Sequence, residues 1–149
     1  RLKKLESSLF VVYTGSMRDA HTMATKQIKN IPQNTTALQE MAEHAYSGAY
    51  ILLKSNLSLD LIGHLLHKSW MLKRSLHPEI SNARIDTLYS KGRSLGAIGG
   101  KLLGAGNGGF FLFFVPHERH EKFKRGIEAP CVSFKICHTG SRVINLERE

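Results

Sequence analysis

Four glycines fall within six residues, at positions 104, 106, 108 and 109, and the run is followed at once by Phe110-Phe-Leu-Phe-Phe-Val115. Glycine takes positive φ without steric cost, and closely spaced glycines let successive N–H groups turn into one concavity, which suits an anion such as a phosphate. The spelling GAGNGG satisfies G-x-G-x-x-G, but the dinucleotide-binding pattern needs a helix to open there, and the residues that follow are strand formers. The P-loop pattern fails as well, because Lys101 precedes the glycines and no Lys-Ser or Lys-Thr follows them. What remains is a glycine-rich connection between two strands, Gly99 to Leu103 and Phe110 to Val115, read either as a phosphate-handling loop or as a permissive hairpin.

Around that hairpin the periodicity predicts an α+β domain. Ser8 to Thr14 is β-rich. Ser16 and Asp19 fit a capping pair before a helix carrying Ala20, Met23, Ala24 and Gln27 and ending near Pro32. Thr36-x-x-Gln39 opens a second helix whose stripe, Leu38, Met41, Ala42, Ala45, Ala49 and Leu52, is expected to face the core. A third runs from about Ser58 to Arg74, and a fourth from Asn82 to about Leu95 with Ile85, Leu88, Tyr89 and Gly92 on one face. A short helix follows Pro116, and Cys131 to Cys137 and Ser141 to Leu146 read as a closing pair of strands. Collapsing the four helices into one connection gives β-α-β-β-α-β, the split βαβ order of ferredoxin-like folds with an enlarged first crossover.

A chain of 149 residues with 42% hydrophobic and 22% charged residues is sized for one globular domain. No apolar stretch approaches the roughly 18 residues of a membrane span, and no signal-peptide core opens the chain, so a cytoplasmic location is expected. The chain begins at Arg1 and reaches strand residues almost at once, which leads us to expect a piece of a longer protein with a further domain upstream. Cys131 and Cys137, in one expected strand, would stand roughly 20 Å apart, too far for a disulfide, and read as reduced structural thiols. His117-Glu-Arg-His120 is one residue short of H-E-x-x-H and His64-x-x-His67 has no third ligand, so no metal is expected on the protein itself.

The formal net charge of +9 favours anionic partners: nucleic acid, an anionic membrane or a phosphorylated small molecule. A basic ferredoxin-like sheet can bind RNA, yet the Phe110–Val115 strand is apolar on both faces and lacks the spacing that displays stacking rings to bases. The basic helix from Ser58 to Arg74 reads as a solvated face in preference to a membrane-lying one. No Ser-His-Asp or Cys-His arrangement supports hydrolase chemistry.

Lys101, Leu102, Gly104, Ala105, Gly106, Gly108 and Gly109 match K-L-x-G-A-G-x-G-G-x, and the segment resembles the third motif of the GHMP kinases, the superfamily of galactokinase, homoserine kinase and mevalonate kinase. Asn107 stands where relatives often have another glycine, and Asn tolerates the left-handed region best among the other residues. Tyr13-Thr-Gly-Ser-Met-Arg18, Ser69-Trp-Met-Leu-Lys-Arg74, Ile80-Ser-Asn82, Ile85-Asp86 and Gly140-Ser-Arg-Val-Ile144 are similar to segments of the bacterial D-glycero-D-manno-heptose 7-phosphate kinases, with the fucose kinases as nearest rival. The resemblance implies a C-terminal kinase domain, with ATP and Mg²⁺ as cofactors of the intact enzyme and phosphoryl transfer to the anomeric hydroxyl of a sugar phosphate. It also implies that the main nucleotide loop and the acidic catalytic residue lie in a separate N-terminal domain, so no catalytic residue is assigned to this chain. Gly104, Ala105, Gly106, Asn107, Gly108 and Gly109 are expected beside the phosphates. Arg18, Lys73, Arg74, Lys101 and Arg142 are the candidates for substrate anions, with Lys73 and Arg74 foremost because they adjoin Trp70, itself read as core. A homodimer is a further expectation for the partner surface.

Overall fold

A computed structural model describes residues 1–16, 20–132, 134–137, 139–141 and 143. Helix α1 (Leu2–Ser8) leads directly into strand β1 (Leu9–Tyr13). Helices α2 (Ala20–Lys29), α3 (Thr35–Leu53), α4 (Asp60–Ser75) and α5 (Ala83–Ser94) fill the crossover to strand β2 (Gly99–Leu102). The glycine loop joins β2 to strand β3 (Phe110–Phe114), and helix α6 (His120–Gly126) leads to strand β4 (Cys131–Val132). The sheet order is β2-β3-β1-β4 and every pairing is antiparallel. That is the split βαβ arrangement expected from the sequence.

The register explains why the aromatic strand is apolar. Leu102, Phe111 and Val12 lie opposite one another across three strands, and all three are fully buried. Trp70 of α4 meets Phe111 edge-on at 5.1 Å, and Tyr89 of α5 stacks on it at 5.4 Å. Phe113 packs against Phe123 of α6. Phe114 points to the other face and closes a smaller cluster with Leu5 and Leu59. Burying each such side chain contributes about 1.5–3 kcal/mol before chain entropy is counted. Trp70 is thus core, as expected; its indole N–H has no acceptor among the described residues. Helix α4 approaches β2 so closely that a Cβ at Gly99 would lie 1.9 Å from the Gly63 carbonyl oxygen, so glycine is a packing requirement there.

Several local readings change. Helix α1 occupies residues read as a lead-in to the strand. The α3 stripe is only half covered: Leu38 and Met41 pack on the core, whereas Ala42, Ala45 and Ala49 are exposed, because α4 is the main neighbour of α3 and covers one side of it. Thr36 makes no cap; α3 starts at Thr35, and the Asn34 side chain donates instead to the Leu76 carbonyl at 2.9 Å. Asn82 does cap α5, accepting from the Ile85 N–H at 3.0 Å. Of the expected Cys131–Cys137 strand, Cys131 and Val132 are in β4 and residues 134–137 have no regular structure, so the distance argument for the cysteines loses its premise. Both thiols are free and exposed, not structural. Ser141 and Val143 are outside any strand, and the remainder of the last expected strand lies outside the described residues, as does Asp19 of the expected capping pair.

Arg1 holds the N-terminal end in place. Its guanidinium donates to the carbonyls of Ile51, Leu52, Ser55 and Leu57 at 2.7–3.2 Å, satisfying the open C-terminal end of α3. Among the described residues no helix is long and apolar enough to cross a membrane, and no group of three or more His, Cys, Asp or Glu side chains could hold a metal.

Candidate functional site

The loop between β2 and β3 takes a backbone course that only its residues permit. Gly104, Gly106, Asn107, Gly108 and Gly109 all have positive φ, at 71°, 117°, 58°, 153° and 91°. A Cβ at Gly106 would sit 3.0 Å from Ile80 Cα, and one at Gly108 would sit 2.9 Å from the Ser16 carbonyl oxygen. Asn107 is the non-glycine member, in the left-handed region that Asn tolerates.

Six surrounding residues hold that course. The Asn107 N–H donates to the Ile80 carbonyl at 2.7 Å, and the Asn82 amide donates to the Asn107 side-chain oxygen at 2.8 Å. The Gly109 N–H donates to the Ser16 carbonyl at 3.0 Å, while its own carbonyl accepts from both the N–H and the hydroxyl of Thr14 at 2.9 Å. Gln27 of α2 donates to the Ala105 carbonyl. From α4, the Lys73 ammonium reaches the Leu102 carbonyl at 2.9 Å and the Gly104 carbonyl. Carbonyls are drawn outward to these donors. Among the described residues, the N–H groups of Gly104, Ala105, Gly106 and Gly108 meet no protein acceptor, although Gly106 and Gly108 are buried. Donors left free in a buried turn are an anion-binding arrangement.

The expected cations have four different fates. Lys73 is 6% exposed, and its ammonium is turned to main-chain carbonyls. Arg74 is paired with Asp86 at 3.0 Å and lies 5.8 Å from the Trp70 ring; Asp86 in turn accepts from the Ser81 hydroxyl at 2.6 Å. This series of bonds fixes the Ile80–Asn82 turn that grips Asn107. Lys101 is half-buried with no acceptor among the described residues, and desolvation holds its ammonium below the usual lysine range. Arg18 and Arg142 lie outside the described residues.

Thr14, Ser16, Gln27 and Asn82 support this loop without having stood out in the sequence as parts of it, and Arg84 adjoins it through Thr14. Arg84 donates through Nε to the Thr14 carbonyl at 2.8 Å and lies across Gly15, whose φ is +74°. Its link to Thr14 spans 70 residues of sequence, and no local periodicity encodes such a pair. Asn82 was legible as a helix start; its second bond, to Asn107, was not.

Comparison with known proteins agrees with this architecture. The bifunctional fucokinase/GDP-fucose pyrophosphorylase of Arabidopsis thaliana is 30% identical over 132 residues, covering 85% of this chain and 12% of that protein. The D-glycero-alpha-D-manno-heptose 7-phosphate kinase of Campylobacter jejuni is 29% identical over 125 residues, covering 81% of this chain and 36% of that protein. The chain therefore spans well under half the length of either relative. Among solved structures, L. major mevalonate kinase in complex with R-mevalonate superposes with a TM-score of 0.68 at 21% identity over 80% of this chain and 37% of that one. A D-glycero-D-manno-heptose 1-phosphate kinase from Bacteroides thetaiotaomicron gives 0.53 at 23% identity over 90% of this chain and 34% of that one. These two show a shared fold. The family model described as GHMP kinases C terminal matches residues 51–133, more than half of the chain and the whole of the glycine loop, and the chain belongs to that family.

Proposed function

We propose that this chain is the C-terminal domain of an ATP-dependent sugar kinase that phosphorylates D-glycero-D-manno-heptose 7-phosphate at its anomeric hydroxyl. The observation that carries the reading is the glycine loop, whose N–H groups at Gly104, Ala105, Gly106 and Gly108 have no acceptor among the described residues while its carbonyls are tied back to Lys73, Gln27 and Thr14. In phosphoryl transfer the protein contributes mainly position and charge stabilisation. The bond from the γ-phosphorus to the ADP oxygen breaks, a bond to the anomeric oxygen forms, and the hydroxyl proton leaves to a base outside this chain. Mg²⁺ would neutralise the phosphates, and no residue described here is assigned to it. Within this division of labour, Gly104, Ala105, Gly106 and Gly108 offer N–H groups to a phosphate. Lys73 is a positioning residue: it fixes the two carbonyls that flank the start of the loop. Lys101 supplies a poorly solvated positive charge beside it.

The ATP-binding domain belongs, on this reading, to the complete protein, and residues 1–149 alone transfer no phosphate. A fucokinase is the second reading, favoured by the 30% identity to the Arabidopsis protein. The deciding experiment measures kcat/KM of the complete kinase with ATP on heptose 7-phosphate and on L-fucose. A higher value on the heptose phosphate supports the first reading, and a higher value on fucose replaces it with the second. Turnover by residues 1–149 alone at the rate of an ordinary sugar kinase overturns the domain assignment.

A further inference from the structure

A groove of about 600 Å³ opens between α5 and the end of β1, joined to the glycine loop through Thr14, and the proposed function gives it no role. Its walls include Thr14, Gly15, Arg84, Thr87, Lys91 and Glu128. Arg84, Thr87 and Lys91 recur at i, i+3 and i+7, so one face of α5 presents a guanidinium, a hydroxyl and an ammonium in a row. We propose that this groove binds the phosphate already carried by the acceptor sugar, with Arg84 as the residue that holds it.

Arg84 is the lining cation with the most donors to spare. It uses only Nε on the protein, to the Thr14 carbonyl, and among the described residues its two terminal nitrogens have no acceptor. Lys91 is already paired with Glu128 at 3.5 Å, and the Thr87 hydroxyl donates to the Ala83 carbonyl, leaving its lone pairs. A guanidinium anchored through one nitrogen presents its terminal N–H groups as a fork, the geometry that matches two phosphate oxygens. Its posture is built into the chain, because an ideal Cβ on Gly15 would lie 1.8 Å from the nearest Arg84 terminal nitrogen. A side chain at position 15 would displace the guanidinium from its place over the turn.

The placement indicates the chemical class of the ligand. Thr14 touches both features: its hydroxyl and N–H bond the Gly109 carbonyl, and its carbonyl holds Arg84. Thr14 therefore ties two sets of anion donors together, the main-chain N–H groups of the loop whose Gly109 it holds and the guanidinium N–H groups of the Arg84 that it holds. A reaction with a single phosphorylated reactant needs one such set; a reaction in which nucleotide and acceptor both carry phosphate needs two. Glu128, on the opposite wall, is a carboxylate suited to sugar hydroxyls and unsuited to a second phosphate. The candidates marked by sequence, Lys73 and Arg74, are engaged elsewhere, whereas Arg84 is open.

This inference rests on the kinase reading for its substrate but is tested separately from it. The complete kinase, wild type and Arg84→Gln, is titrated with heptose 7-phosphate, with unphosphorylated D-glycero-D-manno-heptose and with ATP, and the same pairs are assayed for turnover. Arg84→Gln replaces a charged fork by a neutral amide, and the expected result is a ten-fold to hundred-fold weaker hold on the sugar phosphate, with the neutral sugar and ATP unchanged. Gly15→Ala, which displaces the guanidinium and leaves its charge, is expected to reproduce the loss in part. Equal affinity of wild type for the phosphorylated and neutral sugars, or a preference retained in Arg84→Gln, overturns the inference while leaving a kinase in place. A preference lost in Arg84→Gln from a protein with no turnover on any sugar supports the groove and overturns the kinase reading. If Arg84→Gln fails to fold by circular dichroism, Arg84→Lys replaces it: this variant keeps the charge without the fork, and an undiminished preference then overturns the forked geometry.

Discussion

The glycine loop and the outer face of α3 are both surfaces that the core does not bury, and they are built in opposite ways. Every turn of the loop is tied down: Ile80, Asn82, Ser16, Thr14, Gln27 and Lys73 each hold one of its groups. Ala42, Ala45, Tyr46, Ala49, Tyr50 and Leu53 of α3 are as regular in spacing, yet all are exposed, Leu53 by 83% and Tyr46 by 79%. On the proposed function, the restriction keeps the loop's N–H groups in one arrangement for a phosphate. The α3 face is merely apolar. Periodicity reports that a face can be buried, whereas long-range hydrogen bonds show where the structure has fixed a conformation.

If that contrast is sound, substitutions in the loop are costly in function and those on the α3 face are not. The largest expected effect is from Gly106→Val. It forces a β-branched residue to φ of 117° and places its Cβ against Ile80, which moves the neighbouring N–H groups. A displacement of about 1 Å at a phosphoryl-transfer site costs on the order of 100-fold in turnover, so kcat of the complete kinase should fall by at least that much. Wild-type kinetics from a folded Gly106→Val enzyme would reduce the loop to a hairpin. Lys73→Met comes next. It strands the Leu102 and Gly104 carbonyls without their donor, and a loss of about 1–3 kcal/mol is expected in urea unfolding, together with reduced kcat. A stability loss with unchanged kcat would show that Lys73 supports the sheet and not the loop.

How much of this was legible beforehand follows from range in sequence. The strands around the loop, the Asn82 cap and the α5 stripe of Ile85, Leu88, Tyr89 and Gly92 depend on residues a few positions apart, and they stand where the pattern put them. The loop itself was legible because glycine spacing is a local property. Its supports were not, because Gln27 reaches Ala105 and Lys73 reaches Leu102 across long stretches of chain. Lys73 shows the difficulty most clearly: beside Trp70 near the end of its helix it reads as a candidate for a substrate anion, and only the arrival of β2 beside α4 turns its ammonium to main-chain carbonyls. The length of β4 was overestimated, since Cys131 to Cys137 has strand composition but among the described residues only Cys131 and Val132 pair with β1.

A smaller effect separates charge from geometry at Lys101. Its ammonium is desolvated without a partner among the described residues, so its folded pKa lies below the unfolded one. Between those two values the unfolded chain binds more protons, and stability rises with pH across that window. Lys101→Met removes this slope and should stabilise the fold slightly near neutral pH, while weakening ATP binding if the charge serves the phosphates. Urea midpoints from pH 7 to 10 read the first effect and nucleotide titration of the complete kinase the second. A midpoint profile with the same slope in Lys101→Met would assign the pH dependence to another group.

The smallest expected effect belongs to the α3 face. Leu53→Ser and Tyr46→Ser remove side chains that are largely in water already, so each should change unfolding free energy by no more than about 0.5 kcal/mol. Ile85→Ala, on a stripe of similar spacing but fully buried, should cost about 2–5 kcal/mol. The pair of measurements sets two helices of the same chain against each other with side chains of similar size. Unfolding of residues 1–149 gives the intrinsic value for α3, and the same substitutions in the complete kinase test whether anything else covers it. A loss above 1 kcal/mol that appears only in the complete protein would mean that another part of the protein buries the α3 face. The contrast with the loop would then be one of partner, not of constraint.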